Sequence, residues 1–396
     1  MLVPRRQRAT SFFHSFVTHT EFLSEPPSWE SLRELFPATG QSVYLNTASY
    51  APGAAPVLAA VQEGLAQWSL GTASWQRWEQ RAEESRALFA RLIERAPEQV
   101  ALLSSFSAAA SQVAESLPAP GPGKRANIVV GAEEFRSNLF PWMGQARRGF
   151  ELRLVPFREG RITCEDLLAA VDGETSLVAV SHVQSANGYR VDLERLAQSL
   201  QPLATRLFVD ATQSMGGLCV PLEGVDYMAC TAYKWLLSPR GSAFLYVAPD
   251  RLEEQHPLQP SWKTPEHPYE DYYGGPYAPA PRASKLDASL AWPIWLGTTR
   301  ALELLLEVGL ERIEAHNLGL AQSFAEGLGE LGMQPLFGPG ESSPIMALKL
   351  PDPAGLQARL AQQGIVAAVR AEYLRASFHL FNNQEDVERL LAVLKG

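Results

Sequence analysis

RLFVDATQSMGGLCVPLEGVDYMACTAYKWLLSPRGSAFLYV, residues 206–247, carries three short apolar runs, each bounded by turn residues. The first, Leu207-Phe208-Val209, stops abruptly at Asp210. The second, Val225 to Cys230, leads into Thr231-Ala232-Tyr233-Lys234. The third, Ala243 to Val247, follows the turn residues Ser238-Pro239-Arg240-Gly241. Runs of this kind are the pattern of strands buried in a covered sheet. Ligands of such sheets sit at strand ends, which directs attention to Asp210 and Lys234.

A lysine amine forms Schiff bases with carbonyl cofactors, and a carboxylate holds a pyridinium nitrogen protonated. Together they are the equipment of pyridoxal phosphate binding. A helix cap at Asp210 and a solvated lysine at 234 would give the same letters, so spacing alone leaves both readings open.

Three motifs narrow the choice. Asp210-Ala211-Thr212-Gln213, Thr231-Ala232-Tyr233-Lys234-Trp235 and Ser238-Pro239-Arg240-Gly241 resemble the core of the class V aminotransferase family of fold-type I pyridoxal phosphate enzymes. Cysteine desulfurases, kynureninases, isopenicillin epimerase-like proteins and several C–S lyases belong to that family. The resemblance runs from about Tyr44 to the C-terminus. It implies an α/β fold, with a large domain built on a mainly parallel sheet and a small α+β C-terminal domain. The expected division is an N-terminal arm (1–30), a large domain (31–300) and a small domain (301–396).

Length and composition agree. A chain of 396 residues has room for two domains, and 46% hydrophobic with 19% charged residues is ordinary for a globular protein. A net charge of −9 with no dense Lys/Arg run argues against a nucleic-acid surface. No apolar stretch reaches bilayer length, and Ser11 to Thr20 is too mixed for a signal-peptide core. Cys164, Cys219 and Cys230 lie far apart, as reduced thiols do, and no cluster has metal-ligand spacing. The expectation is a cytoplasmic protein without membrane spans.

Several further positions take roles from the resemblance. Strand Val100–Leu103 runs into Ser104-Ser105-Phe106-Ser107-Ala108, where Ser107 and the Ala108 amide match the turn that grips the cofactor phosphate. A plain serine N-cap would look the same. Thr231 and Tyr233 share that task. Phe135 stands where desulfurases carry a histidine and kynureninases a phenylalanine stacked on the pyridine; a phenyl ring stacks but moves no proton. Gln213 is expected on the cofactor's phenolate oxygen. His182 matches a segment on the pyridine face, although a simply hydrogen-bonded histidine fits equally well. Among Gln184, Ser185 and Asn187, Ser185 holds the position of an asparagine that contacts cofactor or substrate. Ser289 matches a residue that reaches the partner subunit's phosphate, which implies a homodimer with shared sites.

The substrate end is read from Leu374-Arg375-Ala376-Ser377, which is similar to the segment whose arginine takes the amino acid's α-carboxylate. Arg370 resembles a second, assisting arginine, and Asn46 and Ser49 lie in an entry segment bordering the site. Desulfurases insert a cysteine-bearing loop between the two arginines; here four residues separate them and no cysteine follows Cys230. Without a thiol the persulfide chemistry has no nucleophile. The implied activity is therefore pyridoxal phosphate chemistry at Cα of a small amino-acid substrate, transamination first. Elimination by a C–S β-lyase, epimerisation, and a cofactor-binding protein without catalysis are the alternatives.

Overall fold

The computed structural model describes residues 26–270, 272–338, 340–341 and 343–395. Most of the expected arm therefore lies outside the described residues. Its described end enters a helix at Trp29–Glu34, capped by Ser28.

Seven strands make the main sheet: β1 (Val100–Leu103), β2 (Asn127–Gly131), β3 (Glu151–Val155), β4 (Thr175–Ser181), β5 (Arg206–Asp210), β6 (Tyr227–Thr231) and β7 (Ala243–Val247). Their spatial order is β1-β7-β6-β5-β4-β2-β3, and among them β7 alone runs against the rest. Alternation divides each strand between two cores. Leu207, Val209, Met228 and Cys230 face one side; Phe208, Tyr227 and Ala229 face the other. Both sides are covered, so the strands other than edge strand β3 carry no polar face. Helices α1 (Trp75–Leu92) and α4 (Trp292–Val308) pack on the first side through Phe89, Ala301 and Leu302. Helices α2 (Phe106–Ser116) and α3 (Arg136–Met143) cover the second through Ala110, Val113, Leu139 and Trp142.

A second, smaller unit follows. Helix α5 (Leu310–Glu330), β8 (Ile345–Lys349), α6 (Pro353–Gln362), β9 (Ala368–Arg370), β10 (Tyr373–Ser377) and α7 (Gln384–Lys395) surround an antiparallel sheet of order β9-β10-β8. Phe324, Leu348, Leu374 and Leu390 form its core, and Val43 and Leu45 join them from far upstream. The sequence predicts one strand at Val366–Val369. The structure divides that stretch, because Ile365–Val366 pairs in parallel with Val43–Tyr44 while Ala368–Arg370 pairs with β10.

The parallel strands all end on one edge of the sheet, and the reversed β7 begins there. That edge gathers every loop following β1, β2, β4, β5 and β6. Immediately after Lys234, Trp235 packs on a backbone that only glycine allows. A Cβ on Gly216 would meet the Trp235 carbonyl oxygen at 2.4 Å, and one on Gly217 would meet the indole at 2.3 Å.

Candidate active site

A cleft opens at that edge, lined by Ser105, Ser107, Phe135, Asp210, Tyr233 and Lys234 among others. Asp210, last residue of β5, is buried, and its Oδ1 accepts the Thr212 amide at 2.8 Å. Burial raises its carboxyl to about 7, and the charge of Glu134 adds to the effect. Its bonds from Thr212 and the nearby Lys234 act the other way. Lys234 is also buried, and no hydrogen-bond partner meets its ammonium among the described residues. Burial lowers it to about 8; Arg375, Arg370 and Arg240 push in the same direction and Asp210 opposes them. The result is an amine closer than usual to its neutral, nucleophilic form.

Phe135 flanks the lysine, with Nζ 5.8 Å from its ring centroid. At 55% exposed this ring has an open face, unusual for phenylalanine and suited to stacking a flat ligand. At the other end of the cleft, Ser105 caps α2 and its Oγ accepts the Ala108 amide at 3.2 Å. The Ala108 amide, expected on the phosphate, is thus already engaged. The first-turn amides left to an anion are those of Phe106 and Ser107. Ser107 Oγ lies 3.2 Å from Ser105 Oγ, and Thr231 and Tyr233 line the same end. The Arg240 guanidinium rests over the Tyr233 ring, 5.0 Å from its centroid.

The small unit supplies the second half. Arg375 on β10 is 2% exposed; its Nη1 donates to the Ser185 carbonyl and its Nη2 to Ser49 Oγ at 2.8 Å. Its Nε has no partner, and no carboxylate pairs with it among the described residues. Burial, with Arg370 nearby, lowers this guanidinium to about 9. Exposed Arg370 reaches the same Ser49 oxygen at 3.3 Å, and Ser49 in turn donates to Asn46 Oδ1 at 2.8 Å. Asn46 thus acts on the arginines through Ser49. Gln213 donates to Ala48 O and to Ser185 Oγ, each at 3.0 Å, and accepts from Trp235 Nε1 at 2.9 Å. Ser185 therefore links Gln213 to Arg375. Gln184 instead donates to Glu134, and Asn187 to the Gly160 carbonyl.

His182 is not among the residues lining this cleft. β4 ends at Ser181, which sits in register with Asp210. The alternation then turns His182 to the opposite face of the sheet, where it lines a separate cavity with Arg190, Cys219 and Glu314. Burial there lowers its imidazole to about 3. Ser289 is exposed and is not among the residues lining the cleft of this single chain.

Three neighbours were not singled out by sequence. Ser105 has the position of an N-cap, one residue before the first helical turn. Arg240 belongs to the quoted Ser-Pro-Arg-Gly turn. Glu134 precedes Phe135 and looks in sequence like a turn glutamate, yet it is buried.

The comparisons with known proteins agree on one family. The family model "Aminotransferase class-V" matches residues 43–390. An uncharacterized aminotransferase of Bacillus subtilis, YcbU, is 27% identical, covering 91% of this chain and 96% of that protein. The isopenicillin N epimerase of Streptomyces clavuligerus is 29% identical over 78% of this chain and 83% of its own length. Among solved structures, a variant of C-DES with glycine covalently linked to its PLP cofactor has a TM-score of 0.81 at 21% identity, covering 92% of this chain and 98% of that one. The site fits such a group: a buried lysine with no hydrogen-bond partner among the described residues, a buried carboxylate at a strand end, an open phenyl face and a hydroxyl-rich helix start. The chain belongs to the class V aminotransferase family, and it is an enzyme whose cofactor is pyridoxal 5′-phosphate.

Proposed function

We propose that this enzyme works at Cα of an amino-acid substrate and that its reaction is transamination. The observation that carries the reading is Arg375: a buried guanidinium with an unused Nε and, among the described residues, no carboxylate partner, close enough for its charge to act on Lys234. A buried cation is costly unless paired, so the vacancy suits an incoming carboxylate held by parallel hydrogen bonds. Arg370, Asn46 and Ser185 complete that end, the first by direct charge and the others through Ser49 and Gln213.

When bound, pyridoxal phosphate supplies a carbonyl for the substrate amine and an electron sink for the bond broken at Cα. Lys234 would tether it and, once freed by the substrate amine, would take the proton from Cα and deliver it to the former carbonyl carbon, as transamination requires. Asp210 keeps the ring nitrogen protonated. Phe135 would stack on the cofactor's ring, Gln213 would serve its phenolate oxygen, and Ser107, the Ala108 turn, Thr231 and Tyr233 would hold its phosphate. Because Phe135 has no proton to give, proton traffic falls to Lys234 on one face. That favours a one-sided transfer over the two-sided exchange an epimerase uses. The hairpin β9–β10 turns through Ala371 and Glu372 alone, with Arg370 paired to Tyr373, so it has no room for a cysteine-bearing loop. We infer a homodimer whose partner lends Ser289, and a cytoplasmic setting to which the free thiols Cys164, Cys219 and Cys230 are suited.

One incubation of the purified holoenzyme with a panel of amino acids tests this. Conversion of the bound cofactor to its pyridoxamine form, reversed by a keto acid, is the expected result. Release of pyruvate and ammonia instead would replace transamination by elimination, and inversion at Cα would replace it by epimerisation.

A further inference from the structure

We propose that Glu134 is a positioning residue of this site: a fixed, ionised carboxylate that supplies a second negative charge beside Asp210 and so helps keep the bound cofactor protonated. The proposal rests on the reading of Asp210 and Lys234 as the residues flanking that cofactor.

The geometry is specific. Glu134 is buried at the turn after β2, directly before the stacking residue Phe135. Its Oε1 accepts the Ser181 amide at 2.8 Å and Gln184 Nε2 at 2.9 Å. Its Oε2 accepts the Ser181 hydroxyl and Asn138 Nδ2, the latter at 3.3 Å. Four donors from β4, the loop after it and α3 therefore surround one carboxylate, and no cation pairs with it among the described residues. These four hydrogen bonds favour the ionised form, while burial works against them and raises the carboxyl above the ordinary glutamate range. Ser181, which provides two of the four, is the residue in register with Asp210 on the adjacent strand. The Ser181 and Asp210 side chains share the face that bears Phe208 and Ala179, so the carboxylate held by Ser181 lies behind the cleft wall on the Asp210 side, near enough for its charge to act on Asp210.

The arrangement has two consequences. By tying the β2 turn to the end of β4, Glu134 fixes the backbone from which Phe135 projects. It also decides which of two neighbouring carboxyl groups carries a proton before the cofactor arrives. Among the described residues Asp210 draws its hydrogen bonds from Thr212 alone, whereas Glu134 has four donors, so the proton belongs on Asp210. Burial acts to raise both groups. The charged and titratable groups that face this end are few. Asp210 and Lys234 come from β5 and from the loop after β6, and Arg240 from the turn before β7. Arg375 and Arg370 come from β10 and β9. Across the sheet lie His182 and Cys230, both pushed toward their uncharged forms by burial.

The test is a pH titration of the holoenzyme's visible absorption, which reports the protonation of the lysine-linked cofactor. Glu134→Gln should move the midpoint down by about one pH unit, the effect of one buried charge at an effective dielectric constant of about 20. Glu134→Asp, which keeps the charge, should stay near wild type. A midpoint unmoved in folded E134Q would reduce Glu134 to a structural residue and overturn the proposal. Asp210→Asn serves as the reference. If it leaves the titration unchanged, the site reading itself fails; if it moves the midpoint while E134Q does not, only the Glu134 proposal fails. Should E134Q not fold, infrared spectra of wild-type holoenzyme labelled with carboxyl-13C glutamate decide. The proposal requires no protonated glutamic acid band at pH 7, and such a band would contradict it.

Discussion

Lys234 and Lys263 are both almost wholly buried, at 6% and 2% exposure, yet their surroundings treat them oppositely. Lys263 donates to Glu79 and to Glu83 at 2.9 Å, with Asp287 3.4 Å away. Arg86 binds Glu83 and Asp287 in the same network, and Trp292 and Tyr269 donate to Glu79. Burial disfavours the Lys263 charge, but its carboxylate neighbours outweigh that and raise its proton affinity above the ordinary lysine value. Lys234 has Asp210 nearby, no hydrogen bond and three arginines adding to the cost of burial, so its affinity falls to about 8. The first is a structural clamp between α1 and the loop after β7 that carries Lys263. The second is an amine kept ready for reaction. A buried charge that the fold leaves unpaired is a stability cost that function explains.

Replacing each lysine separates the two. Lys234→Ala should lower turnover about 10³-fold or more, since it removes both the tether and the proton carrier at Cα. The same change should stabilise the cofactor-free chain at pH 7. A lysine whose folded affinity is depressed carries a penalty at neutral pH, and the penalty fades as pH rises through about 8 toward the unfolded value of 10.5. Urea melts at pH 7 and above pH 10 check this, and the expected gain at pH 7 is on the order of 2–3 kcal/mol. Equal destabilisation at both pH values would make Lys234 structural.

Lys263→Ala should do the reverse. It leaves Glu79 and Glu83 without their cation and should cost about 3–5 kcal/mol of stability. The folded fraction should keep its turnover. A raised folded affinity also means that the stabilisation from Lys263 is present below pH 10.5 and lost only on further alkalinisation, so the deficit should be flat across neutral pH. Loss of turnover in folded protein would erase the contrast between the two sites.

Arg375→Ala should reduce kcat/KM for amino-acid substrates about 10²-fold, the worth of two charge-assisted hydrogen bonds. Cofactor binding should be little changed. Weakened cofactor retention with unaltered substrate dependence would move Arg375 out of the substrate end.

The region between these extremes explains what the sequence could reveal. β1 and β7 match their expected spans, Val100–Leu103 and Ala243–Val247, because both are continuous apolar runs between clear turn signals. β3 was not expected. It is an edge strand, and Glu151 and Arg153 interrupt its apolar residues. His182 follows the last residue of β4, and one step along a strand reverses the face on which a side chain falls, which the resemblance that suggested it does not register. Glu134 was hidden for another reason. A single glutamate in a turn reads as solvated, and only the tertiary approach of Ser181, Gln184 and Asn138 makes it a buried anion. Long-range pairing of this kind leaves no local signal, whereas Asp210 and Lys234 announce themselves at strand ends.

The smallest effect expected is none. Cys164 and Cys230 are buried, and burial pushes the thiols of Cys164 and Cys219 up to about 11 and 12 and that of Cys230 well above its ordinary value. None is therefore a thiolate at neutral pH. The triple Cys→Ser variant should keep its turnover, with modest stability losses, and mass spectrometry during turnover with cysteine should find no protein persulfide. A persulfide on any of the three would restore desulfuration.

Reduction of the yellow holoenzyme with borohydride, followed by peptide mapping, tests the central contrast most directly. The unpaired lysine should carry the cofactor, so the label should fall on the peptide containing Lys234. Label on Lys263, held among carboxylates, or on Lys285, which donates to the Leu252 carbonyl at 2.7 Å, would contradict the account.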